Sequence, residues 1–129
     1  MLVGFFLAGL IIHGGLQGWW VVRLLDGATP NFIMGIAMTL TAFNDNAAIA
    51  YLSTLLPHWP SLAKYAIVTG VIAGGGLTVI ANAPNPAGFQ ILRRHFESGI
   101  SPWRLFQAAL PPTLIMYAIF YFFNPSRGF

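Results

Sequence analysis

The sequence predicts an all-α, polytopic membrane protein that contains one re-entrant helical hairpin and one broken transmembrane helix. The prediction rests on an apolar composition and on polar or glycine-rich interruptions within two of the apolar stretches. Of the 129 residues, 57% are hydrophobic and 7% are charged, whereas an ordinary soluble domain carries about 25% charged residues. So few charges cannot cover a water-soluble globule, and we therefore expect most of the outer surface to contact the lipid bilayer or other protein.

Charge and cysteine content exclude several classes of function. The six lysines and arginines are scattered near segment ends, without the basic stripe that nucleic-acid binding requires, so no nucleic-acid partner is expected. We interpret the arginines as lipid-headgroup or topology residues. The absence of cysteine excludes a disulfide framework, a thiolate metal site and a cysteine nucleophile.

Two apolar stretches predict full membrane crossings, because a bilayer-spanning helix needs about 20 such residues. The first covers residues 2–22, in which His13 and Gln17 are the strongly polar side chains. The second covers residues 103–123 and contains a Pro-Pro pair, which we expect to kink the helix or to mark its start.

The apolar stretch at residues 32–56 has Asn44, Asp45 and Asn46 at its centre. An ionised carboxylate in the middle of a bilayer costs at least ~3 kcal/mol, and Asn and Asp side chains favour turns over helix interiors. Irregular backbone at that depth is tolerated only beside protein or a water-filled cavity. The pattern therefore predicts a re-entrant hairpin, with two half-helices whose tip is buried in protein.

Residues 61–96 predict a helix that is interrupted in its middle. The interruption reads "GGGLTVIANAPNP", from Gly74 to Pro86, with three glycines and two prolines inside otherwise apolar sequence. Unwound segments of discontinuous membrane helices have this composition.

The hairpin tip and the broken helix both expose free helix ends and backbone carbonyls at membrane depth. Discontinuous helices of this kind bind ions in membrane proteins, with carbonyls and helix C-termini facing the cation. Asp45 is the one carboxylate far from a predicted interface, since Asp26 and Glu97 lie in predicted loops. The predicted ion-binding residues are Asn44, Asp45, Asn46, Gly74, Gly75, Gly76, Thr78, Asn82 and Asn85, with Asp45 and Asn46 as the metal ligands.

Each of these features also has a purely structural interpretation. Asp45 can be a structural residue that is hydrogen-bonded by Asn44, Asn46 or Thr78. Asparagines beside prolines often cap helices or turn the backbone, and the glycines can serve close helix packing, which is common in membrane proteins.

The stretch "FNDNAAIAYL" followed by "GGGLTVIANAPNPAG" closely resembles a family of sodium/proton antiporters within the ion transporter superfamily. That superfamily also includes arsenite permeases and divalent-anion/sodium symporters. The resemblance extends over essentially the whole chain, including "HGGLQGWW" and "ALPPTL". It implies that the tip at Asn44–Asn46 faces the break at Gly74–Asn85, with the substrate and the coupling ion between them.

The resemblance also implies an architecture larger than this chain. Superfamily members are commonly much longer and hold two inverted repeats, whereas residues 1–129 contain one hairpin and one broken helix. The chain is similar to a C-terminal repeat. Its expected partner is an N-terminal repeat or, alternatively, a second copy in an antiparallel homodimer, within the bacterial inner membrane.

The function implied is secondary active transport, in which a sodium ion and a proton compete for Asp45. No enzyme activity and no cofactor are expected, and sodium is the transported substrate. Two alternatives stay open. One is a sodium-coupled or arsenite-like anion transporter, with half-helix N-termini near Ala47 and Ala87 facing the anion. The other is a non-transporting membrane subunit.

Overall fold

The computed structural model describes residues 2–55 and 58–125, and within these ranges the regular structure is helical. The all-α prediction is therefore confirmed for the described residues. The helices are α1 (Leu2–Gly15), α2 (Gly18–Leu25), α3 (Pro30–Phe43), α4 (Asn46–Thr54), α5 (Ser61–Gly74), α6 (Asn85–Arg93) and α7 (Pro102–Phe122).

The first predicted crossing, residues 2–22, is divided into α1 and α2 by a turn at Leu16 and Gln17. Glycines flank this turn, and glycine is a poor helix former, so the helix ends there readily. The carbonyl of Gln17 accepts the backbone N–H groups of Trp20 and Val21, each at 3.2 Å, and so begins α2. The side chain of Gln17 donates to the carbonyl of His13 at 3.3 Å, which ties α2 back to α1.

The tightest packing in the described chain is between α3 and α5. A Cβ placed on Gly70 would lie 2.8 Å from the Cβ of Ala37, and one placed on Gly74 would lie 2.5 Å from the carbonyl of Met38. Glycine is needed at both positions because the two backbones touch, as in other small-residue helix interfaces. The contacts advance in the same direction along both helices, so α3 and α5 run parallel and their C-termini meet.

The apolar core lies around this crossing. Met34 on α3 and Ala66 on α5 are each 1% exposed. Buried side chains of α2 and α4 complete the cluster, whose members are Val21, Leu25, Ile33, Met34, Ala37, Ile49, Ala63, Ala66, Ile67 and Val71. The core therefore holds α3 and α5 at the position where their C-termini carry the predicted site.

Among the described helices, α7 alone is long and apolar enough to cross a membrane by length and composition. Pro111 and Pro112 lie inside it, so the pair interrupts hydrogen bonding within one continuous helix. The hydroxyl of Tyr65 on α5 donates to the carbonyl of Phe120 at 3.2 Å, which joins α7 to the core. The apolar helices α3 and α5 are shorter, with 14 residues each.

Candidate ion-binding site

The junction of α3 and α4 is formed by two residues in extended conformation. Asn44 has φ −137° and ψ 161°, and Asp45 has φ −60° and ψ 135°. The chain leaves α3 after Phe43 and enters α4 at Asn46, so the helical hydrogen-bond ladder is interrupted within the Asn-Asp-Asn sequence. Backbone groups that a continuous helix would pair internally are thereby freed at this point.

Asp45 is the N-cap of α4. Its Oδ1 accepts the backbone N–H of Ala47 at 2.8 Å, and its carbonyl accepts that of Ala48 at 3.1 Å. Aspartate is a preferred N-cap, and a negative charge at a helix N-terminus is stabilised by the helix dipole. The partner of Asp45 is thus the backbone of α4, whereas the structural interpretation expected Asn44, Asn46 or Thr78. The capping bond uses one of roughly four lone-pair positions of a carboxylate, so Oδ2 is available to a ligand.

The break between α5 and α6 is a compact turn segment that spans residues 75–84. Asn85, at the start of α6, donates from Nδ2 to the carbonyls of Gly75 and Thr78, each at 2.9 Å. The amide thereby bonds a carbonyl just past the C-terminus of α5 and another within the segment. The carbonyl of Asn82 accepts the backbone N–H of Asn85 at 3.0 Å, which adds a tight turn before α6.

The tip and the break are joined by two hydrogen bonds and one close approach. The backbone N–H of Asn46 donates to the carbonyl of Ala81 at 2.9 Å. Thr78 donates from Oγ1 to the carbonyl of Ala42 at 2.7 Å. The Nδ2 of Asn46 lies 3.3 Å from the position that a Cβ on Gly75 would occupy. Residues about 35 positions apart in sequence are therefore brought into one cluster at the C-terminus of α3.

The predicted site residues do not all have the same position relative to this cluster. Asn46, Gly74, Gly75, Thr78 and Asn85 lie within it, and Asp45 lies at its edge, half-buried. Gly76 is exposed, and a Cβ at that position would meet nothing within 4 Å. Asn44 is exposed, and Asn82 takes part through its backbone.

An open cleft of about 580 Å³ leads to Asp45 between α1 and α4. Its polar lining comes from His13, Gln17, Asn44 and Asp45, and the remaining lining residues are Phe5, Gly9, Trp20, Leu40, Ala48, Ile49 and Leu52. The carboxylate is thus reached from outside through a passage that carries several polar groups.

Sequence reasoning missed two kinds of contributor to the site. The carbonyls of Ala42 and Ala81 make cross-segment hydrogen bonds, and no property of an alanine side chain indicates this. Thr41 is fully buried and lies beside Gly74. In the sequence it is one residue of the apolar stretch before the tip, and nothing there distinguishes it as a site residue. Among the described residues there is no group of three or more His, Cys, Asp or Glu that could hold a metal ion. Asp45 is the one carboxylate among the residues that line the cleft.

Comparison with known proteins identifies the family. None of the curated proteins or solved structures compared with this chain matches it. A family model whose description reads "Putative Na+/H+ antiporter" matches residues 1–123. Since this match covers nearly all of the 129 residues, the chain belongs to that Na+/H+ antiporter family of membrane ion transporters.

Proposed function

We propose that the chain exchanges sodium ions for protons by competition of the two cations for the Asp45 carboxylate. The observation that carries the proposal is the position of this carboxylate, half-buried at a helix break and lining an open cleft. Ionised Asp45 coordinates sodium together with side-chain oxygens of Asn44 or Asn46 and with carbonyls near Gly74–Gly76. Protonation removes the charge and releases the sodium ion, so the site carries one cation at a time.

The arrangement of helix ends supports a cation as the ligand. The parallel helices α3 and α5 both end at the cluster, and helix C-termini carry partial negative charge. Their last carbonyls also provide oxygen ligands, since a carbonyl that accepts one hydrogen bond retains a second lone pair. Discontinuous helices coordinate sodium in this way in secondary transporters.

The anion-transport alternative is less well supported by the same geometry. It requires the N-termini of α4 and α6 to face the anion. At α4 the backbone N–H of Ala47 already donates to Asp45, so the positive end of that helix is neutralised by the protein itself. A carboxylate at this position repels an anion and attracts a cation.

The proposal includes the assembly and its location. The chain acts as the C-terminal repeat of a two-repeat transporter of the ion transporter superfamily, in the bacterial inner membrane. Its partner is then an N-terminal repeat. In the alternative assembly the chain pairs with a second copy of itself as an antiparallel homodimer, and in either case the moving ions pass between the two units. The large exposed side chains of the outer helices, such as Ile12, Trp19 and Ile115, provide apolar surface for lipid or for such a partner.

The test is sodium-driven proton flux in reconstituted vesicles. The variant Asp45→Asn removes the charge and the titratable proton, while asparagine remains a good N-cap, so α4 is retained. We expect its flux to fall to that of protein-free vesicles. The control is Asp26→Asn, which removes a carboxylate from an exposed residue after α2 and should leave the flux unchanged. Exchange at the normal rate by Asp45→Asn would place the coupling site elsewhere.

A further inference from the structure

The hydroxyl oxygen of Thr41 is buried in the described part of the fold without a hydrogen-bond partner. The residue is 0% exposed, near the C-terminus of α3. Within the described ranges, its Oγ1 is the one buried side-chain oxygen or nitrogen without a hydrogen-bond partner. Buried polar atoms in proteins are nearly always paired, and an unpaired one costs free energy.

Other helical threonines of the chain show that the pairing is easily made. The hydroxyl of Thr39 donates to the carbonyl of Gly35 at 2.9 Å, and that of Thr69 donates to the carbonyl of Tyr65 at 2.8 Å. Both use the carbonyl four residues earlier, which is the usual local partner of a helical threonine. Thr41 lies on the same kind of helix and does not make this bond, so local geometry alone does not account for it.

The position of Thr41 coincides with the cluster at the tip. Its Cβ lies 3.0 Å from the position that a Cβ on Gly74 would occupy, and its carbonyl accepts the backbone N–H of Asn44 at 3.3 Å. The next residue, Ala42, accepts the hydroxyl of Thr78. The unpaired hydroxyl is therefore held where the C-termini of α3 and α5 meet, one helical turn before Asp45.

We propose that the Thr41 hydroxyl is a ligand of the transported sodium ion. The proposal rests on the sodium site proposed above and names a further oxygen in it. A hydroxyl oxygen has two acceptor lone pairs and rotates to suit its partner. It is neutral, so it adds to sodium binding without becoming a second site for the proton. A bound cation is itself largely dehydrated, and a buried oxygen without another partner suits it.

Close packing at Gly74 explains why the position of Thr41 is fixed. Any side chain there would meet Thr41 and the carbonyl of Met38, so α3 and α5 approach without an intervening group. Thr41 is fixed on its backbone by this contact, while no hydrogen-bond donor of the described residues occupies the lone pairs of its hydroxyl oxygen. The sodium site then keeps its one charged ligand, Asp45, and gains a further neutral side-chain ligand from the preceding turn.

The experiment measures sodium binding separately from transport. The full chain is purified in lipid nanodiscs, and its thermal unfolding midpoint is followed against sodium chloride, with choline chloride at equal ionic strength as the reference. A ligand that binds the folded state raises this midpoint. The variants are Thr41→Val, which keeps the shape without the hydroxyl, and Thr41→Ser, which keeps the hydroxyl. Thr69→Val is the matched control, because it removes a paired hydroxyl outside the cluster.

We expect Thr41→Val to need about tenfold more sodium for the same midpoint shift, as for loss of one neutral ligand. Thr41→Ser and Thr69→Val should keep the sodium dependence of the unmodified chain. If Thr41→Val does not fold, Thr41→Cys replaces it, since a thiol is a poor ligand for a hard cation, and the same loss is expected.

Several outcomes overturn the proposal. A more stable Thr41→Val protein with unchanged sodium dependence would show that the hydroxyl is merely unpaired. If the unfolding midpoint of the unmodified chain does not change with sodium, the chain does not bind sodium and the proposal fails. Loss of the shift in Asp45→Asn but not in Thr41→Val would reject Thr41 and keep the proposed antiport. Sodium binding that depends on Thr41, in a protein without proton exchange, would support this inference and reject the antiport.

Discussion

At the scale of the residue, Asp45 combines two roles. It caps α4 through the N–H of Ala47, and its second oxygen is left available for a cation. Both roles use the same placement, because the partial positive charge at the start of α4 attracts the carboxylate and holds it at the helix break. A capping residue at a helix break is therefore well suited to bind a cation, since it is already fixed in place before the ion arrives.

The two roles of Asp45 can be separated by substitution. We expect Asp45→Ala to lower the free energy of unfolding by about 1 kcal/mol relative to Asp45→Asn, because alanine cannot cap α4. Both variants should lack sodium/proton exchange. Chemical denaturation in mixed micelles measures the first difference, and vesicle flux measures the second. Equal stability of the two variants would show that the capping bond contributes nothing, and Asp26→Ala, at an exposed position, is the control for loss of charge.

At the scale of the element, the parallel pair α3 and α5 positions the site. Each helix has 14 residues, which at 1.5 Å per residue is about 21 Å, short of a hydrocarbon core of about 30 Å. Both helices end at the interrupted segments, and Gly70 and Gly74 let them approach closely enough for Thr78 and Ala42 to bond. Helix packing and site geometry are therefore set by the same glycine spacing.

This packing makes a prediction for Gly70. The variant Gly70→Ala would place a Cβ 2.8 Å from that of Ala37 and still closer to the carbonyl of Met34, so α3 and α5 must separate. We expect a loss of about 1–3 kcal/mol in the free energy of unfolding, as for overpacked cores. The control is Gly9→Ala on α1, where a Cβ meets nothing within 4 Å. It should be neutral or stabilising, because alanine favours helix over glycine. Unchanged unfolding of Gly70→Ala would contradict the close crossing.

At the scale of the whole molecule, the sequence predicted the helical fold class but not how all of the helices divide and pack together. Low charge and long apolar stretches indicated helices, and clustered Asn, Gly and Pro marked residues where the helices end. The turn at Gln17 was missed, because glycines alone do not distinguish a break from tight packing. The parallel pairing of α3 and α5 was not predicted either. It depends on backbone contact at Gly70 and Gly74. Their GxxxG spacing is typical of close helix packing, but it identifies neither the partner helix nor its direction.

The last prediction concerns how α3 and α4 lie in the membrane. If they form the predicted re-entrant hairpin, the start of α3 and the residues after α4 face the same side, because neither arm crosses the bilayer. The chain has no cysteine, so single cysteines can be placed at Asn31 and at His58, both exposed. A membrane-impermeant thiol reagent should label both from one side of oriented vesicles. As a reference, a cysteine at Ser101 and one at Phe123, at the two ends of α7, should be labelled from opposite sides. Labelling of Asn31→Cys and His58→Cys from opposite sides would replace the hairpin with a full crossing that is interrupted at Asp45.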